Sequence, residues 1–387
     1  MYTSINNQTN AALMNLTSSA DGFCDSEHTE TLPEGGSCGG THSQADLMEV
    51  FTRISGLYAP VALDKVIICI GTGGSRDFLI DLARSGFRNF ILIDRDTVSL
   101  TNVATQGTYL SEVGRNKTEV IREKILDLNP EAKVVCVNRF LDDSMSDEEF
   151  HSYMDMFPGR SGTDYLICGC ADNFEGQKRA ALLALKYGCP YLASWLYEKG
   201  AAAEVIFTYP GGVTESCPRC MLRTRFEMYE KGFVSEVTSA GTPIFATSRL
   251  NEIKGFVALM LLNYHEEGGG RFSTMLDDVK DRNFIIARLY PQALDEMGFL
   301  LFDKILKGNG AERFSYMDET FWVPQKPDSP VYGEPCRMCG GTGDLTFLSR
   351  KWANVDTRTI TFDRPYKYTE EELASMEEKG LVLKKAS

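Results

Sequence analysis

The stretch from residue 65 to residue 94 reads KVIICIGTGGSRDFLIDLARSGFRNFILID. Its first part, Lys65 to Ile70, is a nearly continuous apolar run, which predicts a short strand that is buried on both faces. The sequence Gly71-Thr72-Gly73-Gly74 then predicts a turn, and the apolar residues that follow at helical spacing predict a helix that ends at Gly86. A second apolar run, Asn89 to Ile93, predicts another buried strand. This order of elements is typical of a parallel α/β sheet.

The alternation of strands and helices continues to about residue 265. We predict further strands at 132–137, 164–168, 190–194 and 203–209, and helices at 116–128, 177–187 and 248–264. The last of these helices is the most apolar and is expected to pack against the sheet. The predicted fold class is therefore α/β, with a Rossmann-like, mainly parallel sheet flanked by helices and a small C-terminal extension.

Composition excludes several classes of protein. The chain has 387 residues, 43% of them hydrophobic and 24% charged, which is an ordinary globular composition. The net charge of −14 repels phosphate backbones, so no nucleic-acid partner is expected. The longest apolar runs are far shorter than the ~20 residues of a membrane-spanning helix, so no membrane partner is expected either.

The first part of the chain, residues 1–47, is predicted to be a polar, acidic N-terminal extension. It contains no Lys or Arg, and its start has neither a basic nor an apolar signal-peptide region, so we expect a cytoplasmic location. Two Cys/His pairs with equal spacing lie here, Cys24 with His28 and Cys38 with His42. They could form a second zinc site, or the spacing could be chance in a flexible arm.

The glycine turn at Gly71, Gly73 and Gly74 lies between a predicted buried strand and a helix. Backbone amides and the helix dipole can hold phosphate oxygens at such a place. Asp94 ends the next strand, where a carboxylate can accept hydrogen bonds from a ribose. A nicotinamide dehydrogenase would share these features, but its fingerprint has Gly or Ala at the sixth position, where this chain has Arg76.

The motifs that follow decide between these alternatives. They are Asp94-Arg95-Asp96-Thr97-Val98-Ser99-Leu100-Thr101-Asn102, then Gln106, then Gly114-Arg115-Asn116-Lys117, and later Cys170-Ala171-Asp172-Asn173. In order and spacing they resemble the ubiquitin-activating enzyme superfamily, whose small bacterial members are adenylyltransferases of the ThiF, MoeB and HesA type. The resemblance predicts an adenylation domain at 48–265 and a C-terminal region at 266–387. Each contains one Cys-x-x-Cys pair of a predicted zinc site, Cys217 with Cys220 in the first and Cys336 with Cys339 in the second.

The resemblance implies a site for ATP and Mg²⁺. It implies that Asp94 holds the ribose, that Asn102 and Lys117 contact the phosphates, and that Asp172 positions magnesium. We place Asp96 and Gln106 in the same nucleotide site with Gly71, Gly73 and Gly74.

Arg53 resembles the family's N-terminal arginine, which reaches the site of the neighbouring subunit. The expected active unit is therefore a homodimer, with Arg53, Lys117 and Asp172 as the catalytic residues.

Two positions depart from the family pattern. Arg76 stands where a glycine is usual, and Thr105 stands where the family has a phosphate-contacting arginine just before Gln106. Loss of that arginine puts the reaction rate in question, and Arg76 or Arg95 could supply the missing charge.

Two Cys-x-x-Cys pairs, Cys217 with Cys220 and Cys336 with Cys339, can together form a structural zinc site with four thiolate ligands. A redox dithiol is the alternative. No cysteine lies between residues 220 and 336, so the thioester-forming cysteine of some family members is missing from that segment.

The sequence predicts an adenylyltransferase that uses ATP and Mg²⁺ to activate a carboxylate. The expected partner is the C-terminus of a small ubiquitin-like or sulfur-carrier protein. The alternatives are an enzyme that modifies a ribosomally made peptide and a non-catalytic nucleotide-binding subunit.

Overall fold

A computed structural model describes most of the chain between residues 49 and 360, in the ranges 49–230, 241–289, 319–326, 336, 338–339, 345 and 353–360. All of these residues belong to one unit, residues 45–387. The predicted N-terminal extension, and with it Cys24, His28, Cys38 and His42, lies outside the described residues.

The strands form a single eight-stranded sheet. Their bounds are β1 Val66–Ile70, β2 Asn89–Ile93, β3 Lys133–Val137, β4 Tyr165–Gly169, β5 Tyr191–Leu196, β6 Ala202–Thr208, β7 Phe284–Arg288 and β8 Glu319–Val323. The strand order is β3-β2-β1-β4-β5-β6-β7-β8. In this spatial order, the first five strands, β3, β2, β1, β4 and β5, pair in parallel. The remaining pairs, β5 with β6, β6 with β7 and β7 with β8, are antiparallel.

The helices connect and cover these strands. Their bounds are α1 Arg76–Arg84, α2 Lys117–Leu128, α3 Asp147–Met154, α4 Phe174–Tyr187, α5 Pro218–Met221, α6 Arg223–Glu230, α7 Ile244–Asn263 and α8 Met275–Val279. No helix among the described residues is both long enough and apolar enough to cross a membrane.

The hydrophobic core lies on both faces of the sheet. Strand β1 is buried along its whole length, and its side chains alternate between the two core clusters. Helix α7 contributes Leu250, Val257 and Leu261 to one cluster, which confirms that this apolar helix packs on the sheet. Helix α4 contributes to the other cluster, so the parallel part of the sheet lies between two layers of helices.

The predicted α/β class is confirmed, and the main additions are C-terminal. Strand β2 has the predicted bounds, and the other predicted strands differ by one or two residues at their ends. Strands β7 and β8, which extend the sheet antiparallel beyond β6, were not predicted. Strands β7 and β8 are as long as β1 to β4, with five residues each, but they lie beyond the region in which strands and helices alternate, so the pattern that predicts a parallel sheet does not reach them.

Candidate functional site

A cavity of about 760 Å³ opens at the carboxyl ends of β1, β2 and β4. In open α/β sheets this edge, where neighbouring strands lead to opposite sides, is the usual place for a ligand. The cavity is lined by most of the predicted site residues: Gly71, Gly73, Gly74, Asp94, Asp96, Gln106, Lys117 and Asp172. The fold therefore brings together residues that are up to about a hundred positions apart in the chain.

The glycine turn joins β1 to α1 and forms one wall of the cavity. The backbone N–H groups of Gly73 and Gly74 donate to no acceptor within the described residues, and the N-cap Ser75 makes no side-chain cap. These donors and the positive end of the α1 dipole are available to phosphate oxygens. The Oε1 atom of Gln106 lies 2.7 Å from where a Cβ at Gly73 would be, so Gln106 packs directly against the turn.

Gly71 is the position in this turn that most needs glycine. Its φ is +81°, and a Cβ there would lie 2.6 Å from the backbone of Ala171. We expect Gly71→Ala to lower the free energy of unfolding by about 2–5 kcal/mol. The cost of an alanine in the left-handed backbone conformation and the cost of the clash with the Ala171 backbone both contribute to this loss. Gly74→Ala is the matched control, since a Cβ at Gly74 meets nothing within 4 Å. Urea unfolding of both variants measures the difference, and equal loss in both would contradict the explanation.

Asp94 holds the glycine turn against the end of β2. It is buried, and its Oδ2 accepts hydrogen bonds from the backbone N–H of Thr72 at 2.8 Å and from the Thr72 hydroxyl at 2.9 Å. Its Oδ1 accepts the N–H of Asp96 at 2.9 Å. A carboxylate offers about four lone-pair positions, so Oδ1 keeps capacity for a ligand hydroxyl while the carboxylate fixes the turn.

Lys117, the first residue of α2, lines the cavity beside Asp96. Its side chain is 11% exposed, and its Nζ lies 3.0 Å from Oδ2 of Asp96. The lysine is therefore an oriented cation at the cavity wall and not a freely solvated surface residue. Phosphate oxygens entering the cavity would compete with Asp96 for this ammonium group.

Asp172 follows β4 and is exposed at the cavity. The helix cap here is the next residue, Asn173, whose Oδ1 accepts the N–H of Gly176 at 2.7 Å. Asp172 makes no hydrogen bond or ion pair with any residue that the structure describes, so its carboxylate oxygens are free to bind a cation. Carboxylate oxygens are the ligands that Mg²⁺ prefers.

Two predicted site residues lie outside the cavity lining. Asn102 ends a short 3₁₀ turn, and its Oδ1 accepts the N–H of Ser99 at 2.9 Å, so its side chain caps that turn. Arg53 lies in an exposed 3₁₀ turn, Thr52–Ile54, and does not line the cavity.

The arginines that could replace the missing one at position 105 differ in their surroundings. Arg76 is buried and is held by Asp77 at 2.9 Å and by Glu112 at 3.5 Å, away from the cavity. Arg95 is exposed and lies over the ring of Phe140, 5.6 Å from its centroid. Because Phe140 lines the cavity, Arg95 lies at its rim, whereas Arg76 is committed elsewhere.

The sequence did not reveal the opposite wall of the cavity, which is formed by the loop after β3 and the start of α4. The additional lining residues there are Phe140, Leu141, Asp142, Asp143, Ser144, Glu175 and Arg179. The signal that could have found them is position alone, since the loop after β3 must emerge at the same edge as the loops after β1 and β2.

Cys170 is a further lining residue that was not predicted from the sequence. Cys168 and Cys189 are buried, whereas Cys170 is only half-buried and lines the cavity. A hydrogen bond from Cys69 and, to a lesser degree, the Lys254 ammonium lower the pKa of its thiol to about 5, although burial opposes this change.

The four cysteines of the two Cys-x-x-Cys pairs meet in one buried cluster. The sulfur of Cys217 lies 3.6 Å from that of Cys220 and 3.7 Å from that of Cys336, and Cys220 lies 3.6 Å from Cys339. Four thiolates at ~2.3 Å from a tetrahedral zinc would be ~3.8 Å apart, so the cluster fits Zn²⁺.

The thiols of the cluster differ in the direction of their pKa shifts. Hydrogen bonds from the other three thiols hold the pKa of Cys336 well below its usual range, whereas burial raises that of Cys217. A cation would favour the thiolate form of all four ligands.

The chain is a member of the E1-like superfamily, and comparison with known proteins gives its family. The model of the ThiF family matches residues 62–267, which is more than half of the chain. The protein therefore belongs to the ThiF family.

Individual relatives match shorter stretches. The chain is 34% identical over 140 residues to tRNA threonylcarbamoyladenosine dehydratase of Haemophilus influenzae, covering 35% of this chain and 49% of that protein. It is 30% identical over 167 residues to molybdopterin-synthase adenylyltransferase of Escherichia coli, covering 41% and 59%. The chain thus spans about half the length of these relatives.

Among solved structures, Escherichia coli MccB with ATP is similar, with a TM-score of 0.41 and 19% identity. The likeness covers 58% of this chain and 62% of that one.

Proposed function

We propose that this protein adenylates a carboxylate with ATP and Mg²⁺. The observation that supports this proposal most strongly is that the glycine turn, Asp94, Lys117 and Asp172 line one cavity. The carboxylate oxygen would attack the α-phosphorus, the bond to the leaving pyrophosphate would break, and an acyl-adenylate would form. The membership of the ThiF family supports this chemistry, since a relative is named molybdopterin-synthase adenylyltransferase.

The residues of the cavity match the charges of this reaction. The free N–H groups of Gly73 and Gly74 and the ammonium of Lys117 would take phosphate oxygens, and Asp94 would accept a ribose hydroxyl. Asp172 would hold Mg²⁺, which supplies charge neutralisation at the leaving phosphates when bound. Charge that builds on oxygen in phosphoryl transfer is stabilised most by such fixed groups.

The proposed substrate is the C-terminus of a small ubiquitin-like or sulfur-carrier protein. One relative is named ubiquitin-like modifier-activating enzyme 5, which supports a protein substrate. The missing cysteine between residues 220 and 336 supports a reaction that ends at the adenylate or transfers it directly to an acceptor. The peptide-modifying alternative uses the same chemistry on a smaller carboxylate.

The proposed assembly is a homodimer in a cytoplasmic location, with Zn²⁺ as a structural ion. Arg53 lies in an exposed turn outside its own cavity, as needed for a residue that serves a neighbouring subunit. Another relative's name refers to a tRNA nucleoside. The net charge of −14 argues against tRNA as the partner of this chain.

The test is incubation of the purified protein with Mg²⁺ and ATP labelled at the α-phosphate, with and without size-fractionated host extract. We expect magnesium-dependent AMP or a labelled adenylate, and the active size fraction distinguishes a protein from a peptide substrate. Labelled AMP that forms equally in the presence of excess chelator would argue against the proposal.

A non-catalytic nucleotide-binding subunit is the second candidate. Thr105 and the carboxylates around the cavity favour it, because the family's phosphate-contacting arginine is missing and Arg76 is held by Asp77 and Glu112. It predicts ATP binding by calorimetry without release of pyrophosphate in any extract fraction.

A further inference from the structure

A C-terminal segment, residues 353–360, lies against the elements that form the far wall of the cavity. Thr357 donates its backbone N–H to Oδ2 of Asp147 at 2.8 Å and its hydroxyl to Oδ1 at 2.7 Å. The carbonyl of Val355 accepts a hydrogen bond from Lys186 at 2.8 Å. Residues some two hundred positions apart therefore share one hydrogen-bond network.

Asp147 is the centre of this network. It starts α3, its side chain is 3% exposed, and it pairs with Arg179 at 2.8 Å and with Lys186 at 2.7 Å. A buried ion pair is stable only when its remaining lone pairs and protons are satisfied, and removal of one partner leaves an uncompensated charge. Thr357 supplies two of the four donors to Asp147, so the segment completes the network.

Arg179 and Arg358 hold the loop of residues 140–145, which we call the rim loop and of which residues 140–144 line the cavity. Arg179 donates to the carbonyl of Asp142 at 3.4 Å and to that of Met145 at 2.9 Å. Arg358 donates to the carbonyl of Asp143 at 3.1 Å. The rim loop is therefore fixed by one arginine of α4, which Asp147 orients, and by one arginine of the C-terminal segment.

The segment is itself ordered by a local cap. The carboxylate of Asp356 accepts from the backbone N–H and the side chain of Arg358 and from the N–H of Asp147. Burial opposes ionisation, but these hydrogen bonds hold the pKa of Asp356 well below its usual range. Arg358 therefore reaches Asp143 from a fixed position.

We propose that residues 355–358 are a positioning element of the nucleotide cavity, which fixes the rim loop through Arg358 and the Asp147–Arg179 pair. The inference rests on the proposed function, since it assumes a nucleotide in the cavity. With phosphates at the glycine turn and the ribose at Asp94, the base faces the rim loop, which offers the apolar side chains of Phe140 and Leu141.

This placement predicts how the affinities for ATP and for adenosine change when the rim loop is loosened. A loosened rim loop weakens contacts to the base, which adenosine and ATP share. A change at Lys117 weakens contacts to phosphates, which adenosine lacks. We therefore expect substitutions in the positioning element to lower the affinity for ATP and for adenosine by the same factor.

The test uses the full-length protein and calorimetric titration with Mg-ATP and with adenosine. Thr357→Val keeps the shape of the side chain but removes the hydroxyl, and we expect about tenfold weaker binding of both ligands, as for loss of a hydrogen bond to a charged group. Arg358→Ala is the second variant, with the same expectation. Thr357→Ser keeps the hydroxyl and is expected to restore wild-type affinity.

Controls separate this effect from general destabilisation and from the proposed function. Arg271→Ala removes an exposed arginine that is paired with Asp278 and does not line the cavity, and this variant is expected to bind both ligands normally. Lys117→Met is expected to weaken ATP binding and leave adenosine unchanged. Wild-type affinity in Thr357→Val and Arg358→Ala would overturn the inference while leaving the proposed function intact. Loss for ATP alone would also overturn it. A wild-type protein that binds neither ligand would overturn both.

Discussion

Asp172→Asn is expected to lower the rate of magnesium-dependent AMP formation by about 10²–10³-fold, in the range seen when one transition-state contact is removed. The variant keeps the size of the side chain and removes its charge, so the cation loses a ligand. Because Asp172 is exposed and makes no hydrogen bond or ion pair with any described residue, the melting temperature should stay unchanged. The measurement is release of labelled AMP as a function of magnesium concentration, together with a thermal unfolding curve.

Asp143→Asn is the matched control for this variant. Asp143 also lines the cavity, but its fixed contact is its backbone carbonyl, which accepts from Arg358 and is kept in the variant. We expect its rate to stay within a few-fold of the wild-type rate. Full activity of Asp172→Asn, or an equal loss in both variants, would show that the charge at position 172 has no special role.

Cys336→Ser is expected to remove zinc from the protein and to lower its melting temperature by about 4 °C. The four-thiol cluster joins segments 119 residues apart in the chain, and loss of one ligand weakens a site whose binding energy is folding energy. A loss of about 3 kcal/mol corresponds to that shift in a unit that spans residues 45–387, because the entropy of unfolding is about 2.1 cal/mol/K per residue. Metal content by mass spectrometry and calorimetric unfolding are the two measurements.

Cys136→Ser is the control for the cysteine change itself. Cys136 is a half-buried residue of β3 and belongs to no metal cluster in the described part of the chain. Burial raises the pKa of its thiol to about 12, so it is an unreactive thiol near neutral pH. A preparation of the wild-type protein that contains no zinc, or a Cys336→Ser variant as stable as Cys136→Ser, would refute the structural-metal interpretation.

The sequence predicted the centre of the fold better than its edges. The strand Asn89–Ile93 has the predicted bounds because a strand buried on both faces must be apolar throughout, and polar turns bound it on both sides. Strands β7 and β8 are defined by long-range pairing with β6 and with each other, which periodicity in a single sequence does not contain.

The site was predictable where it depends on strand ends and unpredictable where it depends on tertiary contacts. Gly71, Asp94 and Asp172 each follow or end a recognisable strand, so topology brings them together. The pairing of Arg76 with Glu112 and the use of Asn102 as a turn cap depend on the local course of the chain between β2 and α2. Nothing in the sequence pattern distinguishes these side chains from ligand-binding ones.

The contact between Asp147 and Thr357, at a separation of 210 residues, has a consequence for how the protein matures on the ribosome. Strands β1 to β6 are complete by residue 208 and can assemble while the rest of the chain is still being made. Cys336, Cys339 and Thr357 are translated long afterwards. A nascent chain can thus pair strands β1 to β6 before β7, β8 and the segment that contacts Asp147 have been made.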